Sequence, residues 1–199
     1  GTLPDKEGTS DRRIADDAVA RGDVVLDRLA KRGEVREIAD ADTAARAVKM
    51  AHFAPSGTRG FNPYTRGGHY GMAPQPKYVP GYPFTGVLVE SPAAAAALEA
   101  IVAVPDLDLI YLGIFDYSVA LGIPGQVEDT RVQDFIARAA KIARAAGKAV
   151  GTTAMSEAQT RRLVALGINV LLYGTDTWLL GQGARAGLAM YQQSGWSPR

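Results

Sequence analysis

The stretch Phe84-Thr-Gly-Val-Leu-Val-Glu90 is an apolar run of strand length that ends in an acidic residue. Ser91 and Pro92 follow at once and predict the start of an alanine-rich helix to about Val102, because proline is tolerated at an early helical position. The next apolar run is Leu107-Asp-Leu-Ile-Tyr-Leu-Gly113. Two such strands joined by a helix predict a parallel βαβ unit.

The same alternation continues to the end of the chain. The spacing of apolar residues and the glycine stops predict helices over 128–146, 156–166 and 176–193, and strands over 148–152 and 168–173. Upstream, the pattern predicts a helix from Ser10 or Asp11, a short strand over 35–38, and a helix capped by Asp40 or Asp42. Near-continuous apolar strands between helices predict an α/β fold whose parallel sheet is covered on both faces.

Residues 54–83 interrupt this regularity. The segment contains six of the eleven prolines and four of the eight tyrosines. It is longer than ordinary connections in compact domains, and loops of this length are usually functional or disordered. Its aromatic content argues against simple disorder.

The overall composition narrows the range of partners. The chain has 199 residues, 47% hydrophobic and 22% charged, with a net charge of +1. This length suits one domain over residues 1–199, and the charge gives no reason to expect nucleic acid or a membrane surface as a partner. No cysteine is present, which excludes disulfides and thiolate chemistry and suits a reducing cytoplasm. We therefore expect a soluble cytoplasmic protein.

Two acidic residues follow neighbouring predicted strands. Glu90 ends one apolar run, and Asp116 comes three residues after the next. Because consecutive strands of a βαβ unit lie close together, both carboxylates should lie at the carboxyl-terminal edge of the sheet. Two hard oxygen ligands suit Mg²⁺ or Mn²⁺. Spacing alone leaves open the alternative that these acids only cap the following helices.

Four segments in order resemble the HpcH/HpaI aldolase and citrate lyase β-subunit family. Val87-Leu-Val-Glu90-Ser91 is similar to the family's V-Q-V-E-T, and Gly113-Ile-Phe-Asp116-Tyr-Ser118-Val-Ala-Leu-Gly122-Ile-Pro-Gly-Gln126 to its G-P-x-D-L-S-x-S-L-G-x-P-G-Q. Phe53-Ala-Pro-Ser-Gly57-Thr-Arg59-Gly60-Phe61 resembles Y-P-P-x-G-x-R-G, and residues 173–180 resemble the family's G-x-D-x-x-L-L ending. Together the four segments cover roughly residues 24–190.

The resemblance implies a (β/α)₈ barrel of the TIM type that uses a divalent metal, Mg²⁺, Mn²⁺ or Co²⁺, to bind a 2-keto acid such as pyruvate. The metal would stabilise the enolate during reversible aldol cleavage. Glu90 and Asp116 would be the metal ligands, and backbone N–H groups near Phe115 and Asp116 would meet the substrate carboxylate. The family's assembly implies a homo-oligomer, from dimer to hexamer, in which the C-terminal helix docks on a partner subunit.

The sequence departs from the family pattern at several points. Leu88 replaces the glutamine before the metal glutamate, and Ile114 replaces the proline of G-P-x-D. The family's D-x-E-H loop and its substrate-binding arginine have no match in this sequence, so we expect a barrel that is incomplete at the N-terminus. Arg59, which can hold a carboxylate or brace the loop, and His69, which can act as a base or lie in a surface turn, are the candidate catalytic residues.

These observations support competing functions. The first is a metal-dependent carbon–carbon lyase or aldolase acting on a 2-keto acid or its aldol adduct. The second is a non-catalytic relative that serves as a binding or structural subunit. A third keeps the metal but uses other acid–base residues for decarboxylation or condensation.

Overall fold

The core of the molecule is one parallel sheet. The computed structural model describes residues 38–60, 62–64, 70–72 and 83–195. Within them the strands run in the order β1-β2-β3-β4, and each is parallel to its neighbour. The strands are β1 (Gly86–Val89), β2 (Leu109–Leu112), β3 (Ala149–Ala154) and β4 (Val170–Tyr173). This order confirms the predicted parallel α/β arrangement.

Helices connect and precede these strands. They are α1 (Ala41–Ala51), α2 (Pro92–Ala96), α3 (Leu98–Val102), α4 (Ile114–Ala120), α5 (Thr130–Ala145), α6 (Glu157–Ala165) and α7 (Asp176–Gln193). Most begin with a side chain that accepts a hydrogen bond from a first-turn N–H group, which is how exposed helix starts are satisfied. The capping residues are Asp40, Ser91, Asp129, Ser156 and Thr175.

Two elements differ from the prediction. The alanine-rich helix after β1 is divided at Ala97, whose φ of −89° and ψ of 7° separate α2 from α3. Helix α4, directly after β2, was not predicted at all. The predicted helix from Ser10 or Asp11 lies outside the described residues, as does the predicted strand over 35–38 except for Ile38.

The two faces of the sheet have different surroundings. One face packs against the helices and contributes six residues to the hydrophobic core: Val87, Val89, Ile110, Leu112, Val150 and Ala154. On the opposite face the described residues provide less cover, so that Leu88, Tyr111 and Val170 are only partly buried and Leu172 is 51% exposed. The sequence predicted a sheet covered on both faces. Among the described residues, helices cover only one of the two faces.

The helices differ in how deeply they are buried. Helix α5 contributes six buried residues to the core, whereas α7 contributes none. No helix among the described residues combines the length and the apolar character required to span a bilayer.

Asp108 is a partly buried carboxyl just before β2, at the end of the sheet opposite Glu90. Its Oδ2 accepts a hydrogen bond from the Thr85 N–H group at 2.7 Å. Burial raises the pKa of Asp108 above its ordinary value of 3.8, against the opposing effects of the Thr85 N–H group, Lys148 and His52. A carboxyl whose pKa is raised on folding contributes stability below its unfolded pKa, and that contribution is lost as pH rises through the folded value.

We expect Asp108→Asn to remove this pH dependence. The amide oxygen can still accept from Thr85, but no charge is buried, so the variant should gain stability relative to the parent as pH rises from about 4 to 7. Each kcal/mol corresponds to about 2–4 °C in melting temperature for a chain of this size. Thermal unfolding at several pH values measures the difference, with Asp134→Asn on the exposed side of α5 as the control. A difference that does not change with pH would contradict the expectation.

Candidate active site at the carboxyl edge of the sheet

Glu90 lies at the carboxyl end of β1, beside the end of β2. Val89 is in register with Leu112, and the Gly113 N–H group donates to the Val89 carbonyl oxygen at 3.0 Å. Glu90 and Gly113 are therefore cross-strand neighbours one residue beyond the paired strands. This is the edge of a parallel sheet at which α/β enzymes place their ligands.

Gly113 leaves the space that the Glu90 side chain occupies. A Cβ atom placed on Gly113 would lie 2.7 Å from Glu90 Cβ and 2.8 Å from Glu90 Oε2, closer than real Cβ contacts. It would also lie 3.3 Å from Leu88 Cδ1. The carboxylate of Glu90 thus lies over the backbone of Gly113, on the face of the sheet turned away from the helical core.

Asp116 is in the first turn of α4, which begins directly after Gly113. Its side chain is exposed, and Phe115 beside it is 43% exposed. Gly113 is the N-cap of this helix and supplies no side-chain hydrogen bond to it. The structure therefore brings Glu90 and the helix turn that carries Asp116 to the same edge, next to Gly113.

The alternative that Glu90 caps a helix does not fit the structure. The helix after β1 is capped by Ser91, whose Oγ accepts from the Ala94 N–H group at 3.3 Å. Glu90 precedes this cap and points to Gly113 instead. Asp116, in contrast, is placed where a negative charge interacts favourably with a helix N-terminus, so its capping-type role remains compatible with the geometry.

Helix α4 is held in place from both ends. Ile114 is buried, and Tyr117 stacks on Phe135 of α5 with ring centroids 4.1 Å apart. The fully buried Ser118 donates to the Phe115 carbonyl oxygen at 2.6 Å and accepts from the Gly125 N–H group at 2.9 Å. The backbone that carries Asp116 is thereby tied to the loop that follows the helix.

A hydroxyl pair on the same face was not predicted from the sequence. Tyr111 Oη and Thr153 Oγ1 are 2.8 Å apart across β2 and β3. Burial raises the pKa of the Tyr111 phenol above its ordinary value of 10, against the effect of its hydrogen bond with Thr153, so Tyr111 is neutral at ordinary pH. Nothing in the sequence indicates this pairing, which joins residues 42 positions apart.

Of the two candidate catalytic residues, Arg59 and His69, the structure describes only Arg59. The Arg59 guanidinium lies 4.8 Å from the centre of the Phe53 ring and donates to the Ala51 carbonyl oxygen at 3.5 Å. These contacts fit the loop-bracing alternative, and they do not place Arg59 at the carboxyl edge. His69 lies outside the described residues. The other histidine, His52, is buried at the end of α1.

The residues present fit a hard divalent cation. In the ranges that the structure describes, no group of three or more histidine, cysteine, aspartate or glutamate side chains is arranged to hold a metal. Glu90 and Asp116 would supply two carboxylate ligands, and water or substrate oxygens would complete the shell. Mg²⁺ is commonly bound in this way, by one or two carboxylates with several waters retained.

Comparison with known proteins supports the family resemblance. The family model for HpcH/HpaI aldolase/citrate lyase matches residues 12–182. A hydroxypyruvate/pyruvate aldolase from Delftia acidovorans is 33% identical over 76% of this chain, and a 4-hydroxy-2-oxovalerate aldolase from Rhodococcus jostii is 32% identical over 79%. The chain spans 57% and 61% of the length of these two relatives.

Solved structures agree with the fold. A HpcH/HpaI aldolase/citrate lyase family protein from Burkholderia cenocepacia superposes with a TM-score of 0.71 and 28% identity, covering 78% of this chain and 62% of its own. A HpcH/HpaI aldolase from Desulfitobacterium hafniense gives a TM-score of 0.67 at 22% identity, covering 81% and 64%. These likenesses confirm the predicted barrel-type fold, although the described strands do not close into a barrel. By its motifs, its sheet and the model match over residues 12–182, the chain belongs to the HpcH/HpaI aldolase/citrate lyase family.

Proposed function

We propose that this chain is the metal-binding part of a divalent-metal-dependent carbon–carbon lyase or aldolase that acts on a 2-keto acid or its aldol adduct. One observation carries the proposal: the Glu90 carboxylate lies over Gly113 at the carboxyl edge of the sheet, next to the helix that carries Asp116. Relatives at 31–34% identity are named as aldolases of 2-keto acids. Pyruvate is the simplest acid of this class.

In this proposal Glu90 and Asp116 hold the metal, which is Mg²⁺, Mn²⁺ or Co²⁺. Bound there, the cation would act as a Lewis acid on the keto oxygen of the substrate. The backbone N–H groups of Phe115 and Asp116 would meet the substrate carboxylate, as the family resemblance implies. Ser118 would hold this backbone in place through the Phe115 carbonyl group.

Arg59 and His69 are proposed to serve the substrate rather than the metal. Arg59 would hold a substrate carboxylate, for which the planar guanidinium is well suited. In the structure the guanidinium stacks on Phe53. To contact the substrate carboxylate, the loop would have to carry Arg59 to the carboxyl edge of the sheet. His69 would act as general base, because an imidazole titrates near neutral pH.

The non-catalytic alternative rests on one observation. The sequence contains no match to the family's D-x-E-H loop, which carries the histidine of these enzymes. A chain that binds metal and keto acid without turning it over would be a binding or structural subunit. The remaining candidate is metal-dependent decarboxylation or condensation that uses other acid–base residues. The identity of the product formed in the assay distinguishes this candidate from an aldolase.

We also propose that a single domain over residues 1–199 assembles as a homo-oligomer through the C-terminal helix, in the cytoplasm. None of the residues of α7 is buried. Leu180 and Met190 are 76% and 67% exposed, and Leu188 is 48% exposed. An apolar helix surface of this kind is typical of a subunit interface. The lack of cysteine suits a reducing compartment.

We expect Glu90→Gln to abolish metal-dependent turnover. The amide keeps the size of the side chain but removes the charge that attracts a hard cation. The assay follows pyruvate formation from a 4-hydroxy-2-keto acid, or its consumption with an aldehyde, with Mg²⁺, Mn²⁺ or Co²⁺ present. The activity should fall at least about 100-fold, and calorimetry should show loss of Mn²⁺ binding.

The matched control for this experiment is Glu99→Gln. Glu99 is exposed on α3, where it pairs with Arg138 at 3.0 Å, so the same chemical change should leave turnover and Mn²⁺ binding intact. A parent protein that binds no metal would refute both the aldolase and the condensing alternative. Metal and keto-acid binding without any product would instead support the binding-subunit alternative.

We expect Gly113→Ala to weaken Mn²⁺ binding by about 10–100-fold, because its methyl group must displace the Glu90 side chain. The backbone of Gly113, with φ of −80°, accepts alanine without strain. Gly183→Ala is the control, since a Cβ there meets nothing within 4 Å. Calorimetric titration measures the affinity, and circular dichroism checks the fold. Equal Mn²⁺ affinity in both variants would place the ligand carboxylate elsewhere.

We expect Leu180→Glu to dissociate the oligomer, because it places a charge at the most exposed of the three apolar side chains Leu180, Leu188 and Met190 of α7. Gln182→Glu adds the same charge at another exposed position of the helix and serves as the control. Sedimentation velocity over a range of concentrations measures the assembly state. A parent chain that remains monomeric at all concentrations would contradict the proposed role of α7.

A further inference from the structure

The position of the hydroxyl pair Tyr111–Thr153 is fixed by the register of β2 and β3 and by the space above Gly151. Tyr111 is in register with Gly151, and a Cβ atom on Gly151 would lie 2.9 Å from Tyr111 Cδ2. The glycine therefore leaves room for the tyrosine ring to lie across the neighbouring strand. From there the Tyr111 hydroxyl reaches Thr153, two residues further toward the carboxyl end of β3, at 2.8 Å.

Thr153 belongs to the same row of the sheet as Glu90, and Tyr111 lies on the same face two residues closer to the amino end of β2. Thr152 is in register with Leu112, so Thr153 lies beside Gly113, on the side opposite to Glu90. Parallel strands are about 4.8 Å apart, which places the Cα atoms of Glu90 and Thr153 about 10 Å from each other. The Glu90 carboxylate leans over Gly113 into this interval. A small organic molecule held beside the Glu90 carboxylate could span the remaining distance to the hydroxyl group of Thr153.

The chemistry of the pair favours a neutral partner. Among the residues that the structure describes, the two hydroxyl groups share one hydrogen bond, which leaves one O–H donor and further lone pairs on the two oxygen atoms. The residues in register around the Tyr111 ring are Leu88, Gly151 and Val170, none of which carries a charge. A second carboxylate would therefore find no compensating cation among them, whereas a hydroxyl group can both accept from and donate to the pair.

We propose that Tyr111 and Thr153 determine specificity by binding a hydroxyl group on the part of the substrate derived from the aldehyde. This rests on the proposed function, because the keto-acid end of the substrate is taken to be held at Glu90. The substrate class is thereby narrowed to aldol adducts of hydroxyaldehydes, in which a neutral hydroxyl lies about three carbons from the keto group. Neither residue takes part in the metal chemistry proposed above.

Direct binding tests the proposal without turnover. The ligands are N-ethyloxamate and N-(2-hydroxyethyl)oxamate, stable analogues of a 2-keto acid that differ by one hydroxyl group and cannot undergo aldol cleavage. Calorimetric titration of the full chain with Mg²⁺ should show the hydroxyethyl compound binding about 5–10-fold more tightly. Tyr111→Phe and Thr153→Val should each abolish this preference and leave the affinity for N-ethyloxamate unchanged.

Thr152→Val is the control for a merely structural role. Thr152 is fully buried on the helix-facing side of β3 and donates to the Leu112 carbonyl oxygen at 2.9 Å. This variant should lower the melting temperature and keep the ligand preference. If Tyr111→Phe and Thr153→Val lower the melting temperature but retain the preference, or if the parent shows no preference or no binding, the proposal is overturned.

A kinetic comparison separates this proposal from the proposed function. With pyruvate as donor, the parent should use glycolaldehyde with a higher kcat/KM than acetaldehyde, and Tyr111→Phe should reduce that ratio about 5–10-fold. Turnover with an unchanged ratio overturns the specificity proposal alone. No turnover with either aldehyde, together with a Tyr111-dependent preference for the hydroxyethyl ligand, overturns the proposed function and supports the role of the pair.

Discussion

The close approach of Glu90 to the backbone of Gly113 is the constraint on which the carboxyl edge of the sheet depends. The parallel register of β1 and β2 places the two residues side by side, and the absence of a side chain on Gly113 lets the carboxylate lie over it. Helix α4 starts directly after the same glycine. Gly113 therefore both leaves space for the Glu90 side chain and fixes the start of the helix turn that carries Asp116. A larger residue would disturb both relationships at once.

The two faces of the sheet carry different kinds of side chain. Six side chains on one face belong to the hydrophobic core, and the helices supply most of the other core residues. The other face carries the acid and hydroxyl groups, of which Glu90, Tyr111 and Thr153 are all partly buried. Because successive residues of a strand point to opposite faces, the same short strands supply core residues on one face and polar residues on the other.

Much of the fold could be predicted because its signals are local. Apolar runs bounded by glycine or proline identified β1 to β4, and Asp40, the observed cap of α1, was one of the two caps predicted for that helix from side-chain chemistry. Helix α4 was missed because its N-cap, Gly113, offers no side-chain signal. The break at Ala97 was missed because alanine favours helix, and tertiary packing overrides that preference.

The candidate site was predictable only in part, for a related reason. The chain positions of Glu90 and Asp116 after neighbouring strands, with the surrounding motif, were sufficient to predict their common edge. The partnership of Tyr111 with Thr153 joins residues 42 positions apart, and it depends on the register of β2 and β3 and on the space above Gly151. Neither quantity can be read from one sequence. His69 lies outside the described residues, so its predicted role stays a prediction.

The buried Ser118 has a consequence for motion. Its hydroxyl joins the Phe115 carbonyl group in the first turn of α4 to the Gly125 N–H group in the loop beyond, and the Ile123 N–H group also bonds to the Ser118 carbonyl oxygen. These bonds tie the first turn of α4 to the loop, so a displacement of the backbone around Asp116 would require the loop to move with it. We therefore expect ligands of different size at this edge to be accommodated more by rotation of the Glu90 side chain than by rearrangement of the main chain.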